Sequence, residues 1–141
     1  MRLVEPAARL TSGAALAAVT AAMSAADARD IRIAAAVVDG GGHLIAFLRS
    51  PGCFLQSIGI AIDKAYTAAG FGFASSDWTA VLRDDEDLRE GLRMVPRLVM
   101  IGGGFPLRVE GMVVGAIGVS GGTESEDVIC ARAGLAALGL E

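Results

Sequence analysis

The hydrophobic pattern of the chain switches between helical spacing and strand-like runs. Thr11 or Ser12 is expected to cap a first helix, and Thr123 with Glu126 forms a capping box that marks the start of the last one. Apolar residues at spacings of three and four predict helices from 12 to about 27–30, over 54–71, 75–82 and 123–138, and a short one in the charged stretch 83–90.

Between these helices lie five apolar runs, several of them rich in β-branched residues, that predict strands. They cover residues 31–39, 43–49, 97–101, 107–109 and 112–120. Glycines 40–42 turn the chain between the first two runs, and Glu110 with Gly111 does so between the last two. Tight turns of this kind join antiparallel neighbours, whereas parallel strands need long crossovers. The sequence therefore predicts an α+β domain around an antiparallel sheet and excludes a Rossmann fold.

Lys64 is unusual in the central predicted helix, which is otherwise apolar from Ile58 to Ala69 apart from Asp63. Asp63 and Lys64 are adjacent, so their side chains point in different directions and do not pair along the helix. Lys64 lies off the expected packing face. It is either a solvated or interface lysine or a cation that points into a pocket, where burial would tune its pKa. The expected packing face consists of Leu55, Ile58, Ile62, Ala65, Tyr66 and Ala69.

Composition narrows the class of protein. A length of 141 residues supports one domain over 1–141, and the combination of 53% hydrophobic with only 20% charged residues predicts a face buried in a homo-oligomer. The net charge of -4 and the absence of a Lys/Arg cluster argue against nucleic acid as a partner. No apolar stretch is long enough to span a membrane, and the N-terminus does not resemble a secretory signal, so we expect a cytoplasmic protein.

Two residues at the first hairpin turn are candidates for chemistry. His43 is the only histidine, and it is either a turn residue or a functional one, acting as an acid/base or as a haem-iron ligand. Asp39 ends an apolar strand, where it either caps the turn or takes part in a site. With Lys64, these residues form the candidate acid/base set. No Cys, His or carboxylate spacing indicates a metal site, so His43 would meet a metal only as the iron of haem.

A second glycine cluster, Gly102, Gly103 and Gly104, is followed by Phe105 and Pro106. Backbone N–H groups in such a loop can bind a carboxylate or another anion. The loop lacks the pattern of a nucleotide-binding P-loop. Arg108, two residues further on, could supply a charge-assisted contact. These six residues are the candidate ligand-binding set.

Four ordered motifs stand out along the chain: VVDGGGHLIAF at 37–47, IAIDKAYTA at 60–68, GGGFPL at 102–107 and GAIGVSGG at 115–122. They resemble the motifs of the GlcG/HbpS-like haem-binding family, which includes the C-terminal domain of PduO-type proteins. Asp127 also falls where that family has an acidic pair at the last helix.

The resemblance implies a profilin-like, three-layer α-β-α sandwich around a five-stranded antiparallel sheet, and homo-oligomers, often of higher order. It also implies that haem is a candidate cofactor, since some relatives bind haem or cobalamin-related tetrapyrroles. Other relatives lie among genes for small-acid or aromatic catabolism. Because this chain has a single histidine, only His43 could reach a haem iron from a given subunit.

Three functional hypotheses follow. The first is an oligomeric protein that binds haem or another small ligand at its glycine-rich loops. The second is an enzyme on a small oxo- or hydroxy-acid or an aromatic metabolite, with Lys64, His43 or Asp39 moving a proton. The third is an assembly subunit without its own ligand. The position of Lys64 relative to Asp39 and His43 discriminates between the first two.

Overall fold

The computed structural model describes all 141 residues and confirms the α+β class, with five α-helices and a four-stranded antiparallel sheet. A single 3-10 turn, Ser75–Asp77, precedes α3. The elements are α1 (Ser12–Asp27), β1 (Ala34–Asp39), β2 (Leu44–Arg49), α2 (Leu55–Phe71), α3 (Trp78–Val81), α4 (Glu86–Arg93), β3 (Gly104–Val109), β4 (Met112–Ser120) and α5 (Glu124–Ala137).

The sheet has helices on both faces. Its strand order is β2-β1-β4-β3, and every neighbouring pair is antiparallel. Alternate residues of β1 point to opposite sides, as the pleat requires. Ala35 and Val37 belong to the core formed with α1 and α5, whereas Ala36 and Val38 pack against α2. The molecule is therefore built in three layers, with the sheet in the middle.

The expected fifth strand over 97–101 is wrong, because this segment binds to α2 instead of to the sheet. Val99 donates its backbone N–H to Thr67 Oγ1 over 3.0 Å, and Arg97 Nε donates to Asp63 Oδ1 over 2.9 Å. Arg97 has a φ of 65°, in the left-handed region that interrupts an extended strand. Two backbone groups of the segment, the N–H of Val99 and the carbonyl oxygen of Arg97, thus bond to Thr67 of α2, and β3 remains an edge of the sheet.

The expected packing face of α2 is right at Ala65 and Ala69, which are buried, and wrong at Leu55 and Tyr66. Leu55 is 75% exposed and Tyr66 is 37% exposed, while the buried face carries mostly small residues. The cause is the close approach of α2 to β4: a Cβ added at Gly118 would overlap the carbonyl oxygen of Ala61. Large side chains do not fit where two backbones meet this closely. The buried positions of α2 are Ser57, Ala61, Lys64, Ala65, Thr67, Ala68 and Ala69.

Local signals predicted the other elements, although the helix expected over 83–90 lies at Glu86–Arg93 and the strand expected over 107–109 begins at Gly104. The Thr11 hydroxyl accepts from the N–H of Ala14 and caps α1. The capping box of α5 is present in both directions, with Thr123 Oγ1 accepting from the N–H of Glu126 and the Glu126 carboxylate accepting from the N–H of Thr123. None of the five helices combines the length and the hydrophobicity that crossing a bilayer requires.

Candidate functional site

The turn between β1 and β2 holds Asp39 and His43 together. Asp39 Oδ1 accepts from the backbone N–H of Gly41 over 2.9 Å and from that of His43 over 3.0 Å. These bonds, that from His43 foremost, lower the pKa of Asp39, since they favour its charged form. Asp39 therefore caps the turn, as one of the two sequence interpretations had it, and remains a carboxylate at neutral pH.

His43 is oriented by the same carboxylate. Its Nδ1 lies 3.3 Å from Asp39 Oδ1, and because a carboxylate only accepts, this contact requires the proton on Nδ1. The side chain is 84% exposed, and Nε2 has no partner within the chain. A histidine held in this way presents the Nε2 lone pair outward, which is the arrangement that carboxylates impose on metal-binding histidines. No group of three or more His, Cys, Asp or Glu side chains comes together to hold a metal ion.

A cleft of about 690 Å³ opens beside this turn. Its volume lies within the range of small-molecule sites. One wall is apolar and comes from β2 and β4, and another is formed by the residues just before α1. The lining consists of Ala7, Ala8, Arg9, Leu10, Ser12, Asp39, Gly40, Gly41, His43, Ile45, Met112, Val113 and Val114.

Lys64 lies in the interior, away from solvent. Its side chain is 1% exposed, and Nζ donates to the carbonyl oxygen of Val119 over 2.9 Å and to Asp127 Oδ2 over 3.0 Å. Asp127 Oδ1 in turn accepts from the N–H of Gly122 over 2.9 Å. Burial raises the pKa of Asp127, and the charge of Lys64 opposes that rise. Lys64 and Asp127 thus form a buried ion pair that joins α2, β4 and α5.

The loop at glycines 102–104 covers this ion pair. Gly102 donates its N–H to Glu124 Oε1 over 2.8 Å, and Gly104 donates its own to Ser75 Oγ over 2.8 Å. Gly103 has a φ of +122°, and a Cβ added there would lie 2.8 Å from Lys64 Nζ. Glycine is therefore needed at this position both for its conformation and for the close contact with the lysine.

The other candidate ligand-binding residues lie on β3. Phe105 is buried and has the guanidinium of Arg132 5.1 Å from its ring centre, while Pro106 pairs with Ala116 of β4. Arg108 is exposed and donates to the carbonyl oxygens of Gly72 and Gly111. That this loop and strand contact a ligand stays a prediction.

The structure therefore divides the candidates between two places. Asp39 and His43 meet at the cleft, whereas Lys64 meets the loop at 102–104 in the interior. Asp127 and Ser75 complete the interior cluster, and the exposed Glu124 binds the same loop from outside. Sequence reasoning did not predict these contacts. Asp127 follows a capping box, and nothing in that local pattern distinguishes a buried carboxylate from the exposed acids beside it.

The chain is thus an α+β protein with helices on both faces of an antiparallel sheet. A cleft of the size of a ligand-binding site lies beside one hairpin turn. Within that class, the chain belongs to the HbpS-like family, described as haem degrading protein HbpS-like, which matches residues 10–136. Protein GlcG of Escherichia coli strain K12 is 32% identical over 111 residues, which cover 79% of this chain and 81% of GlcG. The resemblance noted from the motifs is confirmed.

Solved structures agree with this assignment. A double mutant of HbpS from Streptomyces reticuli superposes with a TM-score of 0.88 at 33% identity, over 96% of this chain and 91% of that one. The crystal structure of the PduOC–haem complex superposes with a TM-score of 0.86 at 26% identity, over 95% of this chain and 98% of that one. The second of these relatives was thus crystallised with haem.

Proposed function

We propose that this chain is an oligomeric binding protein that holds haem, or another tetrapyrrole, in the cleft beside the Gly40–Gly42 turn. The observation that carries the proposal is the environment of His43, whose Nδ1 is held by Asp39 while Nε2 has no partner in the chain and the side chain is exposed. The family assignment and the haem complex of a relative support the choice of ligand.

The residues of the cleft fit this group. The apolar wall of Ile45, Met112 and Val114 suits a flat hydrophobic ring. When bound, haem would supply an iron that accepts a nitrogen ligand. His43 is the side chain of the cleft that offers one, and the ionised Asp39 makes the imidazole a better donor by accepting its Nδ1 proton.

The enzyme hypothesis receives less support. It depends on Lys64 working with Asp39 or His43, yet the hydrogen bonds of Lys64 go to Val119 and Asp127. A general acid or base must come within hydrogen-bond reach of its substrate. With 1% of its side chain exposed, Lys64 does not meet that condition without a rearrangement of the loop that covers it.

Exposed apolar side chains support the oligomer. Five large apolar side chains remain exposed in the single chain: Phe54 just before α2, Leu55 and Phe71 on α2, and Leu44 and Leu48 on β2. An exposed edge strand and large apolar residues are typical of surfaces that a partner covers. We therefore propose that copies of this chain associate through such surfaces. Its action in the cytoplasm stays a prediction from the sequence.

A haem titration tests the proposed function. Adding haem to the purified, untagged chain is expected to give a red-shifted Soret band that saturates at one haem per chain, because each chain has one histidine. The same titration with bovine albumin as competitor separates specific uptake from adsorption. A Soret change that rises without saturation, or that the competitor removes completely, would contradict the proposal.

A further inference from the structure

The segment before α1 forms a wall of the cleft without belonging to the framework of helices and strands. Ala7, Ala8, Arg9 and Leu10 all line the cleft. The first hydrogen bonds along the chain are those of Thr11, the cap of α1, so residues 1–10 are held by side-chain packing alone. Segments with exposed backbone and few contacts open at little cost in free energy.

Leu10 fixes this segment at the edge of the cleft. It is half-buried and packs against the main core. Its contact with β4 is close, because a Cβ added at Gly115 would lie 3.1 Å from Leu10 Cδ2. The segment is thus anchored at Leu10 and Thr11, while residues 1–9 are exposed. The segment can therefore move relative to the cleft while Leu10 and Thr11 keep it attached beside the cleft.

Arg9 places a positive charge at the cleft that no acidic group of the chain neutralises. The ion pairs of the structure involve His43, Lys64, Arg93 and Arg97, and Arg9 is in none of them. Asp39, the carboxylate of the cleft, is engaged by backbone N–H groups and by His43. A guanidinium binds a carboxylate through paired hydrogen bonds, so Arg9 is suited to an anionic group on a ligand.

We infer that residues 7–10 form a strap over the bound ligand, and that Arg9 in this strap binds a carboxylate of that ligand. The inference rests on the proposed function and names the part of the ligand that lies at the mouth of the cleft. The ligand class it implies is an apolar ring system that carries a carboxylate side chain. Haem belongs to that class, since its ring bears propionate groups.

Arg9→Gln tests the carboxylate contact, and Arg2→Gln is the matched control, because Arg2 lies on the same segment but does not line the cleft. Arg9→Gln is expected to weaken haem binding about five- to tenfold, between the effects of an exposed ion pair and of a charged hydrogen bond. Arg2→Gln should bind as the unaltered chain does. Haem dimethyl ester, which has no carboxylate, should bind the unaltered chain and Arg9→Gln equally.

Limited proteolysis tests the strap itself. Trypsin cleaves after arginine, and haem is expected to slow cleavage after Arg9 severalfold while cleavage after Arg2 continues unchanged. If Arg9→Gln binds haem like the unaltered chain, or if haem protects neither bond, the inference is overturned while the proposed function stands. If the unaltered chain shows no saturable haem binding, the proposed function fails and this inference fails with it.

Discussion

Replacing Lys64 with methionine is expected to lower the free energy of unfolding by about 3–5 kcal/mol. The substitution leaves the carboxylate of Asp127 buried with no cation beside it and removes the donor to the Val119 carbonyl oxygen. A buried charge without its partner is costly because the interior solvates it poorly. Urea denaturation followed by circular dichroism measures the change.

Two variants control this prediction. Arg93→Met breaks an ion pair whose side chains are largely exposed, and it should cost less than about 1 kcal/mol. The double substitution Lys64→Met with Asp127→Leu removes both buried charges and should recover part of the loss. A Lys64→Met variant as stable as Arg93→Met would contradict the structural role of the ion pair.

The pH dependence of Lys64→Met has a definite sign. Burial raises the pKa of Asp127 in the folded chain above its ordinary value of 3.8, and the variant removes the charge that opposes this rise. A carboxyl with a raised folded-state pKa contributes stability below its unfolded value and loses it as the pH rises through the folded value. The stability deficit of the variant relative to the unaltered chain should therefore be smaller at about pH 5 than at about pH 8.

His43→Ala is expected to weaken haem binding by about a hundredfold or more, because it removes the nitrogen that the cleft offers to the iron. The side chain is 84% exposed, so the free energy of unfolding should not change. A titration followed at the Soret band measures the affinity. Adding imidazole should restore part of the Soret shift in the variant, since it supplies the missing nitrogen in solution.

Asp39→Asn tests how much the orientation of His43 by the Asp39 carboxylate contributes to haem binding when His43 itself is still present. An asparagine oxygen can still accept from the N–H groups of Gly41 and His43, so the turn should survive. The loss of the negative charge should weaken haem binding about tenfold, as is usual for the partner of a metal-binding histidine. For the His43→Ala prediction, a haem affinity equal to that of the unaltered chain would place the ligand elsewhere.

What the sequence predicted well depends on neighbouring residues. The turn at glycines 40–42 and the caps at Thr11 and Thr123 act within a few positions, and the bounds of β4, Met112–Ser120, follow from one continuous apolar run. The contact between Asp39 and His43 is also local, because the two residues lie on either side of a single tight turn. Family motifs added the layered architecture.

What it missed depends on contacts between distant parts of the chain. Gly118 lets α2 approach β4 so closely that alanines, not leucines, form the buried face of the helix. Lys64 meets Asp127 across 63 positions, and Val99 binds Thr67 across 32. The periodicity of a sequence sorts the residues of a helix into apolar and polar faces. It does not show where a neighbouring backbone lies close enough to the helix to exclude a large side chain. Nor does it show which segment bonds to a helix and is thereby held away from the sheet.

The central claim, that His43 binds the iron of haem in the cleft, is open to an unusually direct measurement because the chain contains one histidine. Untagged protein grown with histidine that is labelled with ¹⁵N in the imidazole ring carries the label on that side chain alone. Pulsed EPR of the ferric haem complex is then expected to show a ¹⁵N hyperfine coupling typical of a directly bound imidazole. A saturated haem complex without that coupling would contradict the account.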